Sequence, residues 1–253
     1  MRRFYLPPQE CRADHLFLTG SEAHHAADVL RVKTGDKVVV LDGAGGELAC
    51  RVESVARKKV QLEVQARMTE PTPSWQITLV QAIPKGKILE AIIQKTTELG
   101  VWRIVPLLSQ RVTTHLEGDS IEQKAEKWRQ TAVEAIKQCG QRWLPQVDPP
   151  ITLPAWLARG EKFDLTLVAS LQDDSRHLRA YFPPGARPPR TLCIWIGPEG
   201  DFAPEEMEAI KSAGALPITL GPLVLRSETA ALCALSILNY DLQAASCSQP
   251  SVK

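Results

Sequence analysis

The chain changes its hydrophobic rhythm at one place. Before it, apolar residues come in short runs separated by glycine or basic turns: "DKVVVLDG", "GELACRVESV" and "KKVQLEVQA", in which Val52, Val60, Leu62 and Val64 alternate with polar neighbours. Alternation with period two is the pattern of half-buried antiparallel strands. After the polar, proline-rich "TEPTPS" at residues 69–74, short doubly apolar runs ("QITLVQAI", "RIVPLL", "DLTLVAS", "TLCIWI", "LPITL") alternate with helical stripes. Runs that are apolar on both faces belong to buried parallel strands, which need helical crossovers between them. The expectation is a small β-barrel or sandwich over residues 1–70 and an α/β domain over residues 75–253, with a mostly parallel sheet covered on both faces.

The helical stripes have clear ends. In "KILEAIIQKTTELG" the residues Leu89, Ile92, Ile93, Thr96 and Leu99 share a face, and Gly100 stops the helix. Ser120 is placed to cap a second helix, whose stripe of Ile121, Ala125, Trp128, Ala132, Ala135, Ile136 and Cys139 runs to Gly140. A third, from Ala230 to Leu238, is apolar nearly all round. Such a helix is expected to be buried on every side, which points to packing against a second subunit.

Composition excludes several functions. With 30 basic and 29 acidic residues the formal charge is +1, so any nucleic-acid recognition has to come from a local patch. Arg176, Arg179, Arg187 and Arg190 form an acid-free stretch that reads as a solvated proline-rich loop. The six cysteines are scattered singly, and the adjacent His24 and His25 point to different sides, so no metal site is expected. No apolar run approaches the ~20 residues of a membrane span, and "MRRFYLPPQE" has no apolar h-region behind its arginines. A cytoplasmic location follows as the expectation. The glycine-rich "LDGAGGEL" imitates a cofactor loop, but the residues after it, "ACRVESV", read as a strand and not as the helix such a loop requires. It is expected to be a hairpin turn.

Two other glycine turns are harder to dismiss. "CIWIGPEGDF" and "ITLGPLVLRSETAALCALSIL" each end an apolar strand in Gly-Pro, and in open α/β sheets ligands sit beyond the carboxyl ends of strands. Gly197, Gly200 and Gly221 allow the main chain to approach a ligand, while Pro198 and Pro222 restrict the turns. Such a site can read a flat purine through N–H and C=O groups; two tight turns closing a sheet are the alternative. Ser227 or Thr229 can cap the helix that follows, and Arg226 beside Glu228 implies either a structural contact or an anionic ligand.

"IGPEGDF" followed by "LGPLVLRSETAALCAL" resembles the paired signature of the SPOUT-superfamily 16S ribosomal RNA (uracil-N3) methyltransferases. The likeness extends through "QAIPKGKILEAIIQKTTELGV", "RIVPLLSQRV" and "KWRQTAVEAIKQCGQ", and into the first domain at "HHAADVLRVKTGD". It implies a PUA-like β-barrel for RNA, then a trefoil-knotted α/β domain that uses S-adenosylmethionine and no metal, working as a homodimer on small-subunit ribosomal RNA. By the same resemblance Ile196, Gly197, Pro198, Glu199, Gly200, Leu220, Gly221, Leu225, Arg226, Ser227, Thr229 and Ala230 would hold the cofactor. Arg226 would stabilise charge on the reacting base, and Glu228 would orient Arg226, help remove a proton, or simply favour the helix start. Arg2, Arg3, Arg31, Lys85, Lys87 and Arg111 are the implied RNA contacts. Two positions depart from the family pattern, Leu223 where a second arginine is usual and Asp201 where a further glycine is common. Methylation at another RNA position, or a non-catalytic RNA-binding role in ribosome assembly, remain the alternatives.

Overall fold

A computed structural model describes residues 2–56, 58–111, 119–183 and 187–247, without the side chains of 119, 120 and 244–247. The Ser120 cap and the Cys247 thiol lie outside the described side chains. The chain divides into two units, Met1–Thr72 with Val133–Leu144, and Pro73–Ala132 with Pro145–Lys253.

In the first unit the strands β1 (Arg2–Tyr5), β2 (His15–Thr19), β3 (Lys37–Leu41), β4 (Gly46–Ala56) and β5 (Lys59–Thr69) form one sheet in the order β1-β3-β4-β5-β2. Helix α1 (Gly20–His24) continues into a π turn, His25–Val29. The alternation noted in the sequence points inward: Val52, Val60 and Leu62 are buried with Phe4, Leu16, Leu18, Val38 and Val40. β1 departs from the antiparallel expectation by pairing parallel to β3, which requires the long intervening connection that β2 and α1 occupy. The glycine-rich stretch before β4 is a hairpin turn. Asp42 Oδ1 accepts hydrogen bonds from the amides of Ala44 and Gly46, both at 2.7 Å. A Cβ on Gly46 would lie 2.1 Å from Asp42 Oδ2, so the glycine is required there by its neighbour rather than by a ligand.

The second unit contains β6 (Gln76–Ala82), β7 (Arg103–Leu108), β8 (Gln146–Val147), β9 (Ile151–Thr152), β10 (Leu165–Ala169), β11 (Thr191–Ile196) and β12 (Leu216–Ile218). Their order is β12-β10-β11-β6-β7-β8, with β9 also on β7, and every pairing is parallel. Helices α2 (Ile88–Glu98), α3 (Asp119–Cys139), α4 (Leu153–Ala158), α5 (Pro204–Ser212) and α6 (Ser227–Cys247) complete it. α2 buries Leu89, Ile92, Ile93 and Thr96 and is followed by Gly100 at φ 78°, where a left-handed residue closes the last turn. In the core, the Trp195 ring meets Trp156 and Phe202 edge-on, both with centroids 6.4 Å away.

The last residues of α3 belong to the first unit. There the Lys137 side chain is 4% exposed and pairs with Glu22 at 2.6 Å and Glu134 at 2.7 Å. Arg3 donates to the carbonyls of Lys137 and Gln138, satisfying groups that the helix end leaves open.

α6, expected to be covered on every side, is covered on one side by its own chain. In the single chain it buries one side, through Ala231, Ala234, Leu235, Leu238 and Leu242, and leaves Ile237 and Tyr240 exposed, Tyr240 at 72%. The reason is geometric: α6 packs on α2 and on the β6 and β11 strands, which lie to one side of it. Asn239 fixes its rotation by accepting from Trp75 Nε1 at 2.9 Å and donating to the Leu99 carbonyl.

A buried ion cluster ties the sheet edge together. Asp148, 3% exposed, accepts two hydrogen bonds from Arg103, at 3.1 and 2.6 Å, and one each from Arg159 and Gln146. Burial works against the charge of Arg103, but the bonds to Asp148 and Glu161 outweigh it and raise its pKa. Removing Asp148 leaves Arg103 and Arg159 to share Glu161 and takes away four charge-assisted hydrogen bonds centred on a buried carboxylate. Asp148→Ala should therefore destabilise the protein by about 3–5 kcal/mol in chemical denaturation; a loss below ~1 kcal/mol would show the cluster to be solvated.

Burial also silences most thiols, pushing Cys11 up to about 12, Cys50 to about 11 and Cys193 higher still. Since the thiolate is the nucleophile, an alkylating reagent at pH 8 should modify exposed Cys139 and leave these three intact in the folded protein. Mass mapping of the adducts checks this.

Candidate cofactor site

β10, β11 and β12 are neighbours in one parallel sheet, so their carboxyl ends open side by side. Their loops, with the first turn of α6, line a cleft that is partly open to solvent. It is lined by Ala169, Ser170 and Leu171 after β10, by residues 196–198, 200 and 201 after β11, by 219–221 and 223–225 after β12, and by Ser227 and Ala230 of α6.

The β11 turn is held from several directions. Gly200 has φ 89° and Asp201, a non-glycine residue, φ 68°; both are left-handed. Asp201 accepts from its neighbour's amide at Phe202 (2.8 Å) and from the Leu171 amide across the cleft rim (3.5 Å). Local side-chain bonding of this kind is why aspartate tolerates that conformation better than most residues. The Arg111 guanidinium donates to the carbonyls of Gly200 and Asp201. Behind the turn Glu206 is buried, yet both its oxygens accept main-chain bonds, from Gln110 at 2.8 Å and from Ala203 at 3.1 Å.

The β12 turn has the opposite character. Leu220, Leu223, Val224 and Leu225 line the cleft, and their main-chain groups make no hydrogen bond to any described residue. Main-chain groups near a surface are paired or wetted in folded proteins, so these are free to bond solvent or a ligand. Ser227, in the first turn of α6, ties the helix to the β11 turn and to β6: its Oγ accepts from Gln81 Nε2 at 2.8 Å and donates to the Gly197 carbonyl at 2.8 Å. The serine proposed as a helix cap is turned toward Gly197 instead.

Of the residues singled out in the sequence, Ile196, Gly197, Pro198, Gly200, Leu220, Gly221, Leu225, Ser227 and Ala230 meet at this cleft. Glu199, Arg226 and Thr229 do not line it and are exposed beside it. No contact joins Arg226 to Glu228: the arginine is exposed and its guanidinium bonds to no described residue, while Glu228 is half-buried in the first turn of α6. The segment after β10 was missed. Its signal was present, since "DLTLVAS" ends beside the other two strands by the same carboxyl-end rule.

The expected RNA contacts divide into two groups. Arg31, Lys85 and Lys87 are exposed, the last two flanking Gly86 at φ 70°. Arg2 pairs with Asp36 at 2.5 Å, Arg3 caps the end of α3, and Arg111 secures the β11 turn. Among the described residues no group of three or more His, Cys, Asp or Glu side chains could hold a metal ion, and no helix is long and apolar enough to cross a membrane.

Comparison with known proteins agrees with this geometry. Residues 70–239 match the family model of the RNA methyltransferase domain, and residues 18–65 match that of the RNA methyltransferase PUA domain. Ribosomal RNA small subunit methyltransferase E of Bacillus subtilis is 31% identical over 230 residues, 89% of this chain and 90% of that protein. The Synechocystis protein of the same name is 32% identical over 244 residues, 95% of this chain and 78% of its own. A methyltransferase from Legionella pneumophila, solved with bound SAM, has a TM-score of 0.86 at 32% identity and covers 94% of this chain and 96% of its own. A Neisseria gonorrhoeae ribosomal RNA small subunit methyltransferase E, bound to S-adenosyl methionine, has a TM-score of 0.82 at 26% identity, covering 95% and 97%. With its PUA domain, its parallel α/β unit and relatives of this identity along almost its whole length, the chain belongs to the RNA methyltransferase family that includes the ribosomal RNA small subunit methyltransferases E.

Proposed function

We propose that this protein is a homodimeric enzyme of the cytoplasm that methylates N3 of a uridine in 16S ribosomal RNA, with S-adenosylmethionine bound in the cleft at the carboxyl ends of β10, β11 and β12. The observation that carries the reading is the run of Leu220, Leu223, Val224 and Leu225 on the cleft wall, whose main-chain groups bond to no described residue. Amide and carbonyl groups in a row match the edge of an adenine, and the side chains of Ile196, Leu220 and Leu225 supply its apolar bed. The knotted threading implied by the sequence resemblance is part of this reading.

When bound, S-adenosylmethionine supplies a methyl group already activated by its sulfonium, so the protein has mainly to align the partners and exclude water. The acceptor's N3 proton must leave. That loss puts negative charge on the uracil carbonyl oxygens, and a fixed cation lowers its cost. Arg226, exposed beside the cleft with no hydrogen-bond or ion-pair partner among the described residues, is the group we assign to it. Glu228, next to it on the first turn of α6, either takes the proton or favours the positive end of the helix. The exposed Arg31, Lys85 and Lys87 meet the RNA backbone, and Arg2, Arg3 and Arg111 act there through the elements they hold. Exposed apolar residues at Leu223, Val224, Ile237 and Tyr240 are the surface a second copy covers.

Mass spectrometry of 16S ribosomal RNA from a deletion strain, with and without the restored gene, tests the substrate. One N3-methyluridine should vanish and return; loss of a different methylated nucleotide would move the acceptor, and no change would remove the activity. Arg226→Ala should lower kcat about 10²–10³-fold while the Kd for S-adenosylmethionine stays within about threefold, because the charge it meets develops only during reaction. Sedimentation should give a dimer that the paired change Ile237→Glu and Tyr240→Glu converts to inactive monomer. A fully active monomer would contradict the assembly.

A further inference from the structure

We propose that Gln81 is a positioning residue for the donor cleft: its side-chain amide locks the Ser227 hydroxyl, at the start of α6, onto the Gly197 turn and holds helix and turn at one separation before ligand arrives. The proposal rests on the reading of this cleft as the S-adenosylmethionine site. Gln81 lies near the end of β6 and is fully buried. It does not line the cleft. Its Nε2 donates to the Ala82 carbonyl at 2.9 Å and to Ser227 Oγ at 2.8 Å. A carbonyl can only accept, so the nitrogen end of the amide has to face Ala82, and the same nitrogen meets Ser227. With an N–H arriving at its oxygen, the serine has one proton to place, and the acceptor within reach is the Gly197 carbonyl at 2.8 Å. The result is a one-way chain from Gln81 through Ser227 to Gly197, buried along its length, that joins β6, α6 and the end of β11.

A glutamine is a poor choice for stability at this position. Its Oε1 is buried and has no hydrogen-bond partner among the described residues, a desolvation penalty that an apolar side chain of the same length would avoid. Each such orphan calls for a reason, and the two bonds made by the other end of the amide provide one. Gln81 fixes the rotation of a hydroxyl that ties the start of α6 to the Gly197 turn. A cleft whose turns are already in place spends less of the ligand's binding free energy on ordering them.

Calorimetry with S-adenosylmethionine and ligand-free melting curves test this on four full-length variants: Gln81→Met, Ser227→Ala, the double change, and Ala230→Trp, which fills the cleft. Gln81→Met preserves length and volume but removes the donor. It should weaken S-adenosylmethionine binding about fivefold to tenfold, and Ser227→Ala should do the same, since each removes one step of the same chain. The double change should cost no more than either alone, the signature of groups acting as one unit. The ligand-free melting temperature of Gln81→Met should stay within about 2 °C of the parent or rise. Unchanged affinity in Gln81→Met, or losses that add in the double change, would overturn the proposal. A residue that merely fills space would lower the melting temperature and leave affinity alone. Binding that survives Ala230→Trp would instead show that the donor sits elsewhere, a failure of the site reading that Gln81→Met alone does not produce.

Discussion

The parallel pairing of β6 with β11 is the constraint on which the second unit depends. It joins segments more than a hundred residues apart and sets Gln81 opposite Ile196, the last residue before the Gly197 turn. Because both strands run the same way, both end at the same edge, and β10 and β12 continue that edge on the far side of β11. A parallel sheet has to have its faces covered, and the helices that cover it leave only the carboxyl edge for a ligand. The cleft is thus a consequence of strand direction before it is a consequence of any particular side chain.

Local chemistry then divides the work between the two turns. The β11 turn is over-determined: left-handed Gly200 and Asp201, the Asp201 carboxylate, Arg111 and buried Glu206 all act on it. In the β12 turn the main-chain groups of Leu220, Leu223, Val224 and Leu225 bond to no described residue. One side of the cleft is a fixed wall and the other offers hydrogen bonds. Ser227 ties the start of α6 to the fixed wall, and its partner Gln81 stands one layer further in.

Much of this was legible in the sequence, for identifiable reasons. Doubly apolar runs gave the parallel strands because burial on both faces leaves no polar positions, and the Gly-Pro turns marked the carboxyl edge because they interrupt those runs abruptly. The strand after "LDGAGGEL" marked that loop as a hairpin turn, which the structure shows, and Asp42 supplies the physical cause of Gly46. Tertiary partners were not legible. Nothing local shows that Arg111 is spent on Gly200 and Asp201, that Ser227 faces Gly197 instead of its own helix, or that Gln81, an ordinary polar residue in a strand, meets Ser227 from 146 positions away. The even apolarity of α6 told that both its faces want cover, but not that the chain itself covers one of them.

Amide hydrogen exchange with and without S-adenosylmethionine addresses the central claim most directly, because it reads the main-chain groups themselves. If residues 220–225 hold the donor, saturating ligand should slow exchange there and around Gly197 by an order of magnitude or more, with the turn at residues 42–46 unaffected. Ligand that binds while residues 220–225 exchange as fast as before would contradict the account.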